Sequence, residues 1–412
     1  MTRKLRILAA PANEGGCSYY RIIAPMKKLE ELYGDQVEFR YNLNPLGIEE
    51  DGPNVGKWKE NWTFEDMKWA DVVWTNNIAN WGGPYTARIV GKAKEFGKFV
   101  HFDTDDLLTD LYEGHRLYDT YKERNLEDIT KFIYSHSDLV TVTQRKFAER
   151  VKPFCGGVLA IVKNAIDYEL PCWNVAKTSA QKGVTRVGWA GGIHHEEDVK
   201  EFAGVPNLVN GRVGREHVHW GFYGAPMVKR AEDGSPIDLD WQHDVWRNYK
   251  KILVGGFRGA QNWNIYNALS PDSYGGIYSQ FDISIAPLQM NAFNDSKSEI
   301  KVAECGRYKV PLIASDVGCY DETIVNGKTG YLIPANAPKS EWIKVMTKCI
   351  KNPQHVREMG ENLHKITEEY FSLTKVAKHR LELYESAFGL VNGRDNPSGK
   401  NNTYNTEWKF HE

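Results

Sequence analysis

What this chain lacks narrows its possibilities first. It has no apolar run near the roughly 20 residues that span a bilayer. No hydrophobic signal region follows Met1-Thr2-Arg3-Lys4-Leu5-Arg6, so a cytoplasmic location is expected. Its net charge is only −2, which removes any global pull toward nucleic acid or anionic membrane, although a local basic face remains compatible with that total. The six cysteines (Cys17, Cys155, Cys172, Cys305, Cys319, Cys349) form no CxxC pair and no metal-binding spacing. That pattern disfavours a zinc centre and suits free thiols in a reducing compartment. What is present is ordinary for a globular enzyme: 26% charged and 41% apolar residues in a chain of 412, long enough for two cores.

Strand and helix patterns alternate twice along the chain. In the first half, Leu5–Ala10, Val37–Tyr41, Asp71–Thr75, Phe99–Asp103, Asp138–Thr143 and Val158–Val162 read as strands. Helices are expected over Tyr19–Leu32, Tyr85–Phe96 and Gln144–Val151. In the second half, Arg186–Ala190, Val218–Tyr223, Ile252–Val254, Ile283–Ala286, Pro311–Ser315 and Gly330–Ile333 are the strand candidates. The alternation predicts an α/β chain with two Rossmann-like domains, each a parallel sheet with helices on both faces, facing each other across a cleft. The tail from Asn392, rich in Asn, Gly, Ser and Lys, reads as a frayed end, with Trp408 and Phe410 as possible docking points.

The most informative stretch is Asn294-Asp295-Ser296-Lys297-Ser298-Glu299-Ile300-Lys301-Val302-Ala303-Glu304, followed by the apolar Val310–Ser315. Its pattern predicts a polar cap, a short helix with Lys297 at its start, then a turn and a buried strand. A helix N-terminus with Ser296, Lys297 and Ser298 suits a phosphate. Glu304 follows seven residues later on the same expected face, roughly 10 Å along the axis, within reach of sugar hydroxyls. Taken alone, the same pattern would equally serve a solvated capped helix, with Lys301 an ordinary surface lysine.

Together with its surroundings, this stretch resembles the GT-B glycosyltransferases, specifically the retaining family 4 type. The resemblance runs over about residues 5–390. Asp138-Leu-Val-Thr-Val-Thr143 is similar to the last strand of the family's N-domain, Asn164-Ala-Ile-Asp167 to its linker, and Lys328-Thr-Gly-Tyr-Leu332 to the turn after its donor helix. The helix Val376–Phe388 resembles the C-terminal helix that crosses back to the N-domain. The resemblance implies an acceptor-binding domain over residues 1–167, a donor-binding domain over 168–375, a crossing helix over 376–390 and a polar tail over 391–412.

It further implies a nucleotide-diphosphate sugar as donor, a UDP-sugar favoured and a GDP-sugar possible, with no tightly bound cofactor. Glu304 would receive the ribose hydroxyls, and Lys297, with Ser296 and Ser298, the diphosphate. Two departures stand out. Ser296 occupies the place of a second glutamate, and the loop after the first donor-domain strand carries Gly191, Gly192, His194 and His195 instead of a basic pair. Gly191 and Gly192 would still admit close approach of backbone to ligand, with His194 or His195 a phosphate or acceptor contact. In the N-domain, Gly15 and Gly16 would approach the donor phosphates, and Arg21 would reach phosphate or acceptor.

His101-Phe102-Asp103-Thr104-Asp105-Asp106 ends a strand, at the sheet edge where open α/β folds bind ligands. Asp103 is expected as acceptor contact or base, with His101 and Asp105 beside it. Close carboxylates call for a cation or a raised pKa. No metal is assigned, since the family usually lacks a catalytic one and Asp106 would also suit a helix cap.

The Gly-Gly-Cys-Ser-Tyr-Tyr-Arg opening is most similar to viral members. It implies a hydroxymethylated pyrimidine of phage DNA as acceptor, in the host cytoplasm, with the base flipped from the duplex. Lys57, Lys59, Lys122, Arg124, Arg145 and Lys146 would form the basic rim that duplex DNA needs, and the N-domain tryptophans Trp58, Trp62, Trp74 and Trp81 would stack or pack. The alternatives are a surface polysaccharide, lipopolysaccharide or lipid-linked acceptor, a non-catalytic nucleotide-sugar binder, and a sugar-nucleotide epimerase.

Overall fold

The computed structural model describes residues 3–12, 14–42, 47–48, 58–59, 61–76, 83–226, 229–230, 236–237, 241–254, 262–392 and 403–404. The chain forms two compact units. One comprises Met1–Asp167, Ser296–Ser298 and Phe371–Glu412, and the other Tyr168–Asp295 and Glu299–Tyr370.

The first unit is built on β1 (Leu5–Ala10), β2 (Val37–Tyr41), β3 (Val72–Asn76), β4 (Phe99–Asp103), β5 (Leu139–Val142) and β6 (Val158–Ile161). They lie in the order β2-β1-β3-β4-β5-β6, all parallel. Every residue of β3, β4 and β5 is buried, as a sheet covered on both faces requires. In the tail, Thr403 and Tyr404 pair with Leu159 and Ala160 of β6. The C-terminal helix Leu373–Asn392 belongs to this unit. Its Leu373, Val376, Ala377 and Tyr384 pack with Ile7, Val72 and Trp74 in one core.

The second unit has β7 (Thr185–Ala190), β8 (Val218–Ala225), β9 (Trp263–Asn267), β10 (Ile283–Ala286), β11 (Leu312–Ser315) and β12 (Gly330–Ile333). The order is β9-β8-β7-β10-β11-β12, again all parallel. In each sheet the strand order reverses beside the first strand: between β1 and β3, and between β7 and β10. Ligands of open α/β sheets bind outside the carboxyl ends of the strands at such a point.

Three local expectations are corrected. Ile252–Val254 is not a strand but the end of the helix Trp241–Val254. Val245, Trp246, Tyr249 and Leu253 bury one helical stripe there, and that period outweighs the short β-branched run. The missing edge strand is β9, whose Trp263, Ile265 and Tyr266 are good strand formers between asparagines. The donor helix is Ile300–Arg307, starting after Lys297 and not at it. Ser296 and Ser298 offer hydroxyls that compete with helical hydrogen bonding.

Candidate active site

In the second unit a cavity of about 230 Å³ opens at the carboxyl ends of the central strands, beside the switch point. Gly191, Gly192 and His195 beyond β7 line it, with Tyr223 and Gly224 of β8, Ala268 and Leu269 beyond β9, Tyr274, and Lys301 of the donor helix. Gly224 has φ +124°, and a Cβ there would stand 2.0 Å from the Gly191 carbonyl oxygen. Only glycine lets these two strand ends close together.

The loop after β7 is held in place from below. Tyr249 Oη accepts from the His195 amide (2.9 Å) and donates to Gly192 O (3.2 Å). His195 Nδ1 lies 2.7 Å from Asp198 Oδ2, while Asp198 Oδ1 accepts from Gln289 N (2.9 Å) and Asn294 Nδ2 (2.7 Å). The buried Asp198 carboxylate therefore orients an imidazole at the cavity wall. Of the two candidate histidines, His194 is exposed and is not among the lining residues, while His195 lines the cavity.

Glu304 is buried and meets three side chains at Oε2: Tyr278 Oη donates at 2.6 Å, Lys301 Nζ at 3.1 Å and Tyr274 Oη at 3.4 Å. Lys301 also donates to Tyr274 Oη at 3.0 Å. The i, i+3 spacing of Lys301 and Glu304 puts both on one helix face. Burial opposes the charge on Lys301, but the Glu304 carboxylate and Tyr274 outweigh it, and its pKa stands above that of an ordinary lysine. Burial first and Glu304 second raise the pKa of Tyr274 and Tyr278, so both phenols keep the protons they donate. Lys301, Tyr274 and Tyr278 carry this network, and none was expected in the site. Only the i, i+3 pairing of Lys301 with Glu304 was legible beforehand.

Ser296, Lys297 and Ser298 lie before the helix, in residues that cluster with the first unit. Ser296 is buried, Lys297 and Ser298 half-buried, and Asn164 Nδ2 donates to Ser298 Oγ at 2.9 Å. None of the three lines the cavity of the second unit.

The first unit has a cavity of about 160 Å³ at its own switch point, between Gly15, Gly16, Cys17 and Ser18 after β1, Asn76 of β3 and Thr104–Asp106 after β4. Asn76 Nδ2 donates to Ser18 Oγ (3.0 Å) and its Oδ1 accepts from Ala12 N (2.8 Å), which ties the glycine loop to β3.

Asp103, although at the floor of this cavity, has no exposed side chain. Arg21 Nε donates to its Oδ1 (2.7 Å), and Arg380 of the C-terminal helix (2.8 Å) and Trp74 Nε1 (3.3 Å) donate to Oδ2. Burial pushes its pKa up, but the Arg21 and Arg380 guanidiniums outweigh that and hold it below the usual carboxylate range. A saturated, closed carboxylate does not take a proton from an acceptor, so the expectation of Asp103 as base is corrected.

Arg21, also buried, turns Nη1 to Val162 O (2.7 Å) and Asn164 Oδ1 (2.9 Å), and its burial withdraws it from any acceptor. His101 is sealed between Tyr384 Oη (2.7 Å) and Thr141 Oγ1 (2.8 Å), and burial lowers its pKa to about 3. It is a neutral packing residue and no acceptor contact.

Asp105 and Asp106 remain at the cavity. Burial, then the neighbouring Asp106, raises the Asp105 pKa to about 7. A proton held on Asp105 relieves the repulsion between the two groups. Cys17 Sγ stands 3.7 Å from Asp106 Oδ2, and Asp105 and burial raise the pKa of its thiol. One ligand atom each of Cys17, Asp105 and Asp106 lie within 4.8 Å of one another, the only set in the first unit alone among the described residues that has metal-ligand spacing. Asp106 caps no helix, since the next one begins at Tyr118.

Of the expected basic rim, Lys122 pairs with Glu127 (2.9 Å) and Arg145 with Glu149 (3.0 Å). The side chains of Lys57, Trp58, Lys59, Trp62 and Trp81 lie outside the described residues. Trp74 is core, stacked on His101.

Residues 261–366, which include β9 to β12 and the Lys301–Glu304 helix, match the family model described as glycosyl transferases group 1. No curated protein matches the chain. Solved structures share its whole fold. Sucrose-phosphate synthase from Thermosynechococcus elongatus is 12% identical, covers 94% of this chain and 100% of its own, and has a TM-score of 0.62. Anabaena HepE in complex with UDP-glucose gives 12% identity, 93% and 100% coverage and a TM-score of 0.59. A glycosyltransferase from Rickettsia africae gives 14%, 95%, 100% and 0.56. The chain thus has the GT-B fold and carries a glycosyltransferase group 1 domain, the domain of an enzyme.

Proposed function

We propose that the chain is a retaining glycosyltransferase of the family 4 type, moving a sugar from a nucleoside-diphosphate sugar to an acceptor hydroxyl. The observation that carries this reading is the Glu304 carboxylate of the group 1 domain, held by Tyr278 and by Lys301 and Tyr274, which line the cavity at the switch point of the second unit. There it receives the vicinal hydroxyls of the donor ribose, with the Gly191–Gly192 backbone edge against the nucleotide. A UDP-sugar is the favoured donor, in keeping with HepE, which is similar in fold and was solved with UDP-glucose. In the transfer, the bond from the sugar's anomeric carbon to the diphosphate oxygen breaks and one to the acceptor oxygen forms on the same face. The acceptor's proton passes to the departing diphosphate, so no protein nucleophile is needed, and fixed donors around the diphosphate lower the barrier.

The acceptor belongs to the first unit, at the cavity between the glycine loop and Asp105. Its described rim supports an uncharged hydroxyl-bearing acceptor, such as a glycan or polyol, over hydroxymethylated DNA. Carboxylates border the cavity, and no lysine or arginine is among the residues that line it. Phosphates would meet like charge there.

Release of nucleoside diphosphate from UDP-, GDP- and ADP-sugars tests both parts, each run with oligosaccharides, glycerol-based acceptors, hydroxymethylcytosine DNA or no acceptor. Release that requires a glycan or polyol supports the reading. Release that requires the modified DNA transfers the acceptor to that base, and no release with any pair leaves a nucleotide-sugar binder.

A further inference from the structure

Lys301 has more to offer than its partnership with Glu304. An ammonium carries three donors. Two are used, on Glu304 Oε2 (3.1 Å) and Tyr274 Oη (3.0 Å), and the third has no hydrogen-bond partner among the described residues. The side chain keeps 20% of its surface exposed, and it lines the cavity of the second unit. It is the only lysine or arginine among the residues that do so. The loop after β7 has neither residue before Lys200, which is itself paired with Glu197 at 2.5 Å. A nucleotide whose ribose meets Glu304 must therefore find its countercharge one helical turn away, on Lys301. Tyr278 shares the load of Glu304, so that the ammonium is not committed to that carboxylate alone.

We infer that Lys301 is the cation that meets the diphosphate of the donor, with His195 across the cavity mouth as a neighbouring donor and Glu304 at the ribose. The inference rests on the donor-binding reading above. It assigns to Lys301 the charge that the sequence pattern assigned to Lys297, and makes Lys301 and Glu304 a two-part grip on one nucleotide. The competing role for Lys301 is to orient Glu304 and touch nothing else.

Calorimetric titration with uridine, UMP, UDP, guanosine, GDP and ADP separates the two. For K301M, UDP binding should weaken by about tenfold to a hundredfold, as loss of a charge-assisted contact predicts. Uridine binding should change by less than about threefold, and UMP should fall between. K301R should retain most of the UDP affinity, and E304Q should weaken uridine and UDP by similar factors. If K301M does not fold, K301Q, which still reaches Glu304, carries the same comparison. Equal losses for uridine and UDP, or none, would overturn the inference while leaving donor binding intact. A wild-type protein that binds none of UDP, GDP or ADP would instead remove the donor reading, and the inference with it.

Discussion

Two buried carboxylates, one in each unit, show how similar chemistry is put to different uses. Asp103 ends a central strand and faces two guanidiniums and an indole, with no exposed surface on either it or Arg21. Glu304 sits on a helix, buried against one ammonium and two phenols, of which Lys301 and Tyr274 line a cavity. In the first cluster the carboxylate is saturated, and what it accomplishes is to fasten the C-terminal helix, through Arg380, to the sheet. In the second, the cation retains an unused donor and an opening. Arg21 Nη2 and Arg380 Nε also lack hydrogen-bond partners, but they are sealed in, so what marks a site is a spare donor that opens on a cavity.

The comparison breaks most sharply at Asp103. D103N leaves two buried guanidiniums without countercharge and should cost about 3–5 kcal/mol of stability, measured by denaturant unfolding. The sign of the pH dependence follows from its depressed pKa. The contribution is present above the ordinary aspartate pKa of about 3.9 and is lost as pH falls through that value toward the lower folded one. D103N should therefore flatten the acid limb of stability below about pH 4. If D103N folds normally and loses only turnover, Asp103 is catalytic after all and the contrast fails.

The next effect is at Glu304. E304Q should lower kcat/KM by about tenfold to a hundredfold with the melting temperature nearly unchanged, since Tyr278 can still donate to the amide oxygen. Removing that donor in Y278F should cost less, about fivefold, read in the same assay.

His101 adds a pH test in the first unit. Its folded pKa of about 3 lies below the ordinary histidine value of about 6.5. Its contribution is complete above pH 6.5 and declines as pH falls toward 3, so H101Q should show a shallower loss of melting temperature between pH 7 and pH 5 than the wild type.

The smallest effect is at Asp105. A carboxyl whose folded pKa is raised to about 7 stabilises the fold only while protonated, fully below about pH 4 and lost as pH rises through 7. D105N should accordingly raise the melting temperature slightly at pH 8 and leave it unchanged at pH 4. An equal shift at both would show that the raised pKa is absent.

Strand positions were legible because both sheets are buried on two faces. Phe99–Asp103, Ile283–Ala286 and Gly330–Ile333 are continuous apolar or β-branched runs between turns, and they form strands over those residues. Ile252–Val254 misled because three such residues also end an amphipathic helix, and a three-residue window carries no period. Among the candidate residues, Gly191 and Gly192 line the cavity of the second unit and Glu304 is buried behind Lys301 and Tyr274. His195 could not be told from His194, because which of two adjacent histidines turns inward depends on Asp198 and Tyr249, contacts made across the fold.

From its sequence alone, the protein's class was determined: two parallel α/β sheets and a helix-strand unit that carries Glu304. Local periodicity and turn chemistry suffice for that, since they act between near neighbours. Only the tertiary structure decided which charges remain available. Arg21, His101 and Asp103 are buried and hydrogen-bonded to Asn164, Thr141, Tyr384 and Arg380, as many as 283 positions away, while Lys301 lines a cavity. The free energy of a charge is set by its whole surroundings, and no window of sequence contains them.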